Sequence, residues 1–189
     1  CLFMPAQFTV GAEYSYNDLD DHSIGFDRKI MQTVRTAGVH LQNEWQSDAL
    51  NLVIGARLDK NNLIDHVIVS PRANVRYTPI KNLILRAGYT SGYRAPQAYD
   101  EDLHVMAVGG EASLIVLDPE LRPEYSHSVT ASADMYATAG KVQFNVLVEG
   151  FYTSLNDVFT LVEQHADAAG NQVLMRTNAD RAEVRGVNI

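Results

Sequence analysis

The chain has 189 residues, room for one sizeable domain, and its formal net charge of -8 argues against a nucleic-acid partner, which would want a basic patch. Apolar residues make up 46% of it, yet no run approaches the roughly eighteen apolar residues of a membrane-spanning helix. That excludes helical spans only, because membrane strands alternate and leave a weak hydropathy signal.

Residues 8 to 16 alternate cleanly. Phe8, Val10, Ala12, Tyr14 and Tyr16 share one face, and Thr9, Gly11, Glu13 and Ser15 the other, which is the period of a half-buried strand. A polar stretch over 17–31, with Asp18, Asp20 and Asp21, reads as a loop. A second strand over about 32–46 sets Ala37, Val39, Leu41 and Trp45 against His40, Gln42 and Glu44, and turns tightly near Ser47-Asp48. The third sets Leu50, Leu52, Ile54, Ala56 and Leu58 against Asn51, Val53, Gly55, Arg57 and Asp59, and a short loop follows over 60–65. The fourth, about 66–77, opposes Pro71, Ala73, Val75 and Tyr77 to Ser70, Arg72, Asn74 and Arg76. A proline costs a ladder hydrogen bond, so Pro71 predicts a bulge. After the turn Thr78-Pro-Ile-Lys81, a fifth strand runs to the turn at Gly92, with Leu83, Leu85, Ala87 and Tyr89 opposite Ile84, Arg86, Gly88 and Thr90.

A long polar connection over 92–122 follows, and loops of that length in compact domains are usually functional. The sixth strand, about 124–136, places Val129, Ala131, Ala133 and Met135 on one face, and Ala137 to Gly140 turn it. The seventh is the most regular, with Val142, Phe144, Val146, Val148 and Tyr152 against Gln143, Asn145, Glu149 and Thr153. It continues to about Glu163, with a bulge expected near Asn156-Asp157. A loop over 165–172 leads to the eighth strand, which runs to the end.

Polar or long connections follow the odd strands and tight turns follow the even ones. In an antiparallel meander this puts the long loops on one rim and the turns on the other, the asymmetry of outer-membrane barrels. Trp45, Tyr77 and Tyr136 near the turns, and Tyr16, Tyr89 and Tyr152 near the loops, suggest two aromatic girdles. A soluble sheet would need a cover for its apolar face, and no amphipathic helix supplies one. The fold predicted is therefore all-β, an antiparallel up-and-down meander of about eight strands forming part of a transmembrane β-barrel wall.

Several motifs carry a family resemblance. The fifth strand ends in Gly92-Tyr-Arg-Ala-Pro96, and the chain restarts at Asp118-Pro-Glu-Leu-Arg-Pro-Glu124. Before them stands Ser70-Pro71-Arg72, and beyond them come Phe151-Tyr152 followed by Leu155, Asp157 and Phe159, then Asn178 to Val187. In their order along the chain they resemble the motifs of the TonB-dependent outer-membrane receptors of Gram-negative bacteria. Two positions depart from the family pattern: Asp118 stands where Asn is usual, and Asn188 where Glu is usual.

The resemblance implies a barrel of about 22 strands with a plugged lumen, of which this chain would be roughly a third. The plug, the TonB-contacting segment and the last strand would lie elsewhere. It implies a receptor that binds a scarce nutrient, such as siderophore-bound iron, cobalamin or a glycan, and imports it with energy from TonB. Its partners would be that small molecule, the TonB complex through the plug, and outer-membrane lipid; no enzyme activity, cofactor, metal or nucleic acid is implied. Tyr93, Arg94 and the loop cluster Asp100, Glu101, Asp102 and His104 are candidate ligand-binding residues. The cluster has metal-ligand chemistry but no recognisable ligand spacing. Arg57, Arg72, Arg76, Arg86 and Glu149 are candidates to face the lumen and plug. Two other readings stay open, a small complete outer-membrane barrel with a structural or adhesive role and a soluble β-sandwich binding module.

Overall fold

The computed structural model describes residues 4–26, 28–98, 106–108, 111–166 and 170–189. Long strands dominate it. β1 (Ala6–Ser23), β2 (Arg28–Gln46), β3 (Leu50–Asn61), β4 (Ile68–Ile80) and β5 (Leu83–Arg94) come first. The short β6 (Met106–Val108) and β7 (Glu111–Leu117) follow, then β8 (Glu124–Ala139), β9 (Val142–Glu163) and β10 (Gln172–Asn188). All belong to one ten-stranded sheet ordered β1-β2-β3-β4-β5-β8-β9-β10-β7-β6. Among the described residues the one helical element is a 3₁₀ turn, Ile24–Phe26, and no helix is long enough to cross a membrane.

The eight long strands form the antiparallel up-and-down wall that the alternation predicts. Directly opposed residues share a face, so the register carries the two-sided pattern across the sheet. Val10 meets Leu41, Leu41 meets Ala56, Ala56 meets Pro71, and from β5 onward Leu85 meets Ala133 and Ala133 meets Val148. These residues make one apolar face, and it is bare: Phe8 is 66% exposed and Phe144 53%.

Five readings are corrected. The stretch over 17–31 is mostly strand, because β1 and β2 stay paired from Asn17↔Val34 to Ser23↔Arg28. β3 accompanies β2 only as far as Thr36↔Asn61, so this hairpin stands above its neighbour. Polar cross-strand contacts help hold it, such as Thr33 Oγ1 to Asp18 Oδ1 at 2.8 Å, and its more covered face mixes Leu19, Ile30 and Val34 with Asp21, Ser23, Arg28 and Gln32, so no clean apolar alternation is left to read. Pro71 makes no bulge. It pairs in register with Ala56, at a point where the β5 ladder, which begins at Arg72, has not yet started; the irregularity of β4 falls instead between Tyr77 and Ile80. Tyr136 does not belong to a girdle on the apolar face, since it opposes Asn145 and its hydroxyl donates to Asp134 at 3.0 Å.

The fourth correction concerns the long connection. It is not structureless, for β7 returns to pair in parallel with β10, from Gln172↔Ser113 to Arg176↔Leu117, and β6 pairs with β7. The bulge expected near Asn156-Asp157 is absent from the β9–β10 ladder, a fifth correction, and what marks the place is Asp157 with φ of 52°. The β9–β10 register is the same on both sides of it.

The apolar core does not lie between layers. Among the described residues the buried apolar side chains are Ile64, Ile68, Ala95, Leu114, Ile115 and Leu121, all at the rim of the long connections. Tyr93 and Tyr125 pack on Ile64, Ile68 and Ala95. The wall is held chiefly by its ladders, and the rim by packing.

Candidate functional site

Two regions gather the polar chemistry: the face opposite the apolar one, and the rim where the long connection returns. On the polar face Arg57 stands opposite Ser70. Arg76 pairs with Asn51 and Arg86, Arg72 with Thr90, and Glu149 with Ser132, which itself faces Arg86. The five residues picked from alternation therefore share one face.

Their partners differ. The Arg57 guanidinium donates to both oxygens of Asp59, at 2.9 and 2.8 Å, and to Glu13 at 2.9 Å, spanning β1 to β3. Gly38 makes room for this pair, because a Cβ there would collide with Asp59 Oδ1 and lie 2.6 Å from an Arg57 nitrogen. Arg72 donates to Gln42. Arg86 reaches Asp134 at 3.4 Å, and Asn145 donates to the same carboxylate at 2.6 Å. Glu149 accepts from Asn188 at 3.3 Å. Arg76 has no ion pair or side-chain hydrogen bond among the described residues. It lies with Arg86 in a polar hollow lined also by Asn51, Asn74, Ser132 and Glu149.

At the rim, Tyr93 is a packing residue of the buried cluster. The Arg94 guanidinium lies 5.3 Å from the centre of the Phe159 ring, and that of Arg176, itself 5% exposed, lies 5.9 Å from it. Arg28 donates to the carbonyl of Ile115 at 3.2 Å, so β7 touches the start of β2 as well as β10. The cluster Asp100, Glu101, Asp102 and His104 lies outside the described residues, and no group of three potential metal ligands occurs among the residues that are described.

The restart motif is a clasp. Asp118 accepts from the amide of Glu120 at 2.9 Å and from the Thr177 hydroxyl at 3.0 Å. Asn178 accepts from the Arg122 amide at 2.8 Å and donates to the carbonyls of Arg122 at 3.0 Å and Asp157 at 2.7 Å. The Arg122 guanidinium meets Asp157 at 2.7 Å, and Glu124 accepts from the Phe159 amide at 2.8 Å. Alternation does not reveal these partners. The motif order does: residues of motifs far apart in the chain meet here, and Arg94 of the first motif stacks on Phe159 of a later one.

A ladder of long antiparallel strands, apolar on one side and polar on the other, with tight turns at one rim and larger connections at the opposite one, defines the wall of a membrane β-barrel. The comparisons agree. The family model described as TonB dependent receptor-like, beta-barrel matches residues 3–189, and the chain belongs to that family of outer-membrane proteins. The siderophore receptor PirA from Pseudomonas aeruginosa is similar in structure, with a TM-score of 0.81 at 18% identity, over 98% of this chain and 36% of that one. The ferric enterobactin receptor PfeA gives 0.73 at 16% over 98% and 30%, and the outer membrane transporter YddB from Escherichia coli 0.64 at 15% over 96% and 27%. The chain thus spans about a third of these relatives' length. No curated protein matches it.

Proposed function

We propose that this chain is part of the wall and mouth of a receptor that binds a scarce nutrient outside the cell and imports it with energy supplied through TonB. An iron-carrying siderophore is the ligand class favoured, because the structural neighbours PirA and PfeA are a siderophore receptor and a ferric enterobactin receptor. Cobalamin and glycans have no such support. The reading involves no covalent chemistry. The single observation that carries it is the rim: the long connection is folded onto the wall by β7 and by the clasp, so a mouth surface is built rather than left loose.

In this reading Arg94, half-buried over Phe159, and the cluster Asp100, Glu101, Asp102 and His104 contribute to the ligand vestibule, and Tyr93 supports it from beneath. The polar face lines the lumen. There Arg57, Arg72, Arg86 and Glu149 are engaged within the wall, and Arg76 is the residue best placed to meet a plug.

The test is iron uptake from ferric siderophores by the whole receptor in cells. Arg94→Ala, and separately replacement of Asp100, Glu101, Asp102 and His104 by Ala and Ser, is expected to weaken apparent affinity about ten-fold, the effect of losing one or two charged contacts. Wild-type rate and affinity in both variants would refute the vestibule. Uptake of no ferric siderophore at all by the wild type would refute the ligand class.

A further inference from the structure

The apolar face changes character along one row. On β9 the residues of that face from the turn upward are Val142, Phe144, Val146, Val148 and Gly150, then Tyr152, then Ser154 and Asn156. On β8 Ala131, Ala133 and Met135 lie below the row, and His127 and Tyr125 above it. On β10 Val187 lies below, Arg185 stands opposite Tyr152, and Glu183 and Arg181 follow above. Ten residues separate Val142 from Tyr152. At about 3.3 Å per residue and a tilt of roughly 40° this is about 25 Å of height, the thickness of the apolar band of an outer-membrane barrel. The row of Tyr152 and Arg185 therefore marks the outer membrane–water interface.

A shallow, mainly apolar groove of about 430 Å³ opens just there, lined by Val129, Ala131, Gly150, Tyr152, Arg185 and Val187. Its floor is Gly150, where an added Cβ would meet nothing within 4 Å. At its upper end Arg181 donates to the Tyr152 hydroxyl at 3.0 Å and is neutralised by Glu183 at 2.7 Å. Tyr89 and His127, hydrogen-bonded at 2.9 Å, flank it on the neighbouring strands. The Arg185 side chain is exposed and has no ion pair or hydrogen bond among the described residues. A free cation at the top of an apolar groove, at the level where headgroups begin, matches one kind of molecule: an anionic lipid lying chain-down against the wall.

We propose that this groove is a specific seat for an outer-leaflet lipid, taking one acyl chain over Gly150 and the lipid's phosphate on Arg185. The seat is separate from the vestibule and the polar face, and rests only on the placement of the chain in the outer membrane.

The experiment is native mass spectrometry of the whole receptor, released from an uncharged detergent, with added lipid A or the same lipid stripped of its phosphates. The wild type is expected to retain lipid A and to hold the dephosphorylated form about five-fold less, the weight of one arginine against an anionic headgroup. Arg185→Gln should erase that difference, and Arg185→Lys should keep it. Gly150→Leu, which fills the groove from a position with open space above it, should lower retention of both lipids. Heat-modifiable gel migration verifies that each variant is folded, and uptake by Arg185→Gln should equal that of the wild type. Equal retention of both lipids by the wild type would overturn the proposal, as would unchanged retention in the folded Arg185→Gln or Gly150→Leu variant.

Discussion

Asp59 is the most confined charge in the wall, its side chain only 3% exposed, while its partner Arg57 is 35% exposed and its second carboxylate, Glu13, 60%. The three therefore matter unequally. Arg57→Met strands a buried carboxylate whose only side-chain partner among the described residues is lost, which should cost about 1–3 kcal/mol. Asp59→Asn leaves an oxygen for Arg57 and leaves Glu13 in place, and should cost less than about 1 kcal/mol. Glu13→Gln keeps an oxygen for Arg57 and removes only the charge from a solvent-screened bond, so its effect should be smaller still. Urea unfolding of the whole receptor in lipid vesicles measures all three. An effect of Asp59→Asn as large as that of Arg57→Met would contradict this ordering. That Arg57 and Asp59 share the polar face was legible in alternation; that Asp59 is buried and that Glu13 of β1 completes the group was not, because burial and the register of β1 against β3 are not disclosed by a single sequence.

At the scale of the element, the clasp explains why Asp118 serves where the family's usual residue is Asn. One oxygen accepts from the Glu120 amide and the other from the Thr177 hydroxyl. An amide could keep the first bond with its oxygen and donate to the hydroxyl with its nitrogen. Asp118→Asn should accordingly leave the mouth intact, and Asp118→Ala should lose both bonds. Asn178→Ala should be worse, since three hydrogen bonds go with it, worth about 2–3 kcal/mol of local stability. Limited proteolysis of the receptor in outer-membrane vesicles follows this: cleavage in the 95–123 connection should quicken for Asn178→Ala and Asp118→Ala and stay at the wild-type rate for Asp118→Asn. Equal cleavage of all forms would mean the clasp does not hold the connection. The long wall strands were readable because each has an apolar and a polar side. The upper hairpin of β1 and β2 was not, because its covered side mixes polar and apolar residues, and neither was β7, whose partner β10 is parallel and comes three strands later in the chain.

For the molecule as a whole, the strands carry little burial of their own. Val142, Phe144, Val146, Val148 and Val187 are each 40% exposed or more, and apart from the rim contacts of β7 the outer edges of β1 and β10 are unpaired within the sheet. Open edges and a broad apolar face favour association. Residues 1–189 made alone should therefore sediment in plain buffer as dimers or larger species, through edges or faces, and become dispersed in detergent. A monodisperse monomer with cooperative unfolding in plain buffer would show that the apolar face is covered from within, and would return the soluble-sandwich reading. Here the sequence was at its most informative, because the alternation and the parity of turns and loops are global properties that survive errors of several residues at any one boundary.

β7 also fixes an order of events in folding. It leaves the wall after β5, yet its partner β10 is made only once β8 and β9 have been added. Whatever path the chain takes into the membrane, the ladder hydrogen bonds of β7 have no partner strand on the wall until that point, and only side-chain contacts such as Arg28 to the Ile115 carbonyl are available earlier. Closing so long an excursion is slow compared with zipping adjacent hairpins. The mouth is thus the last part of this stretch to set, after the strands that carry it are already in place.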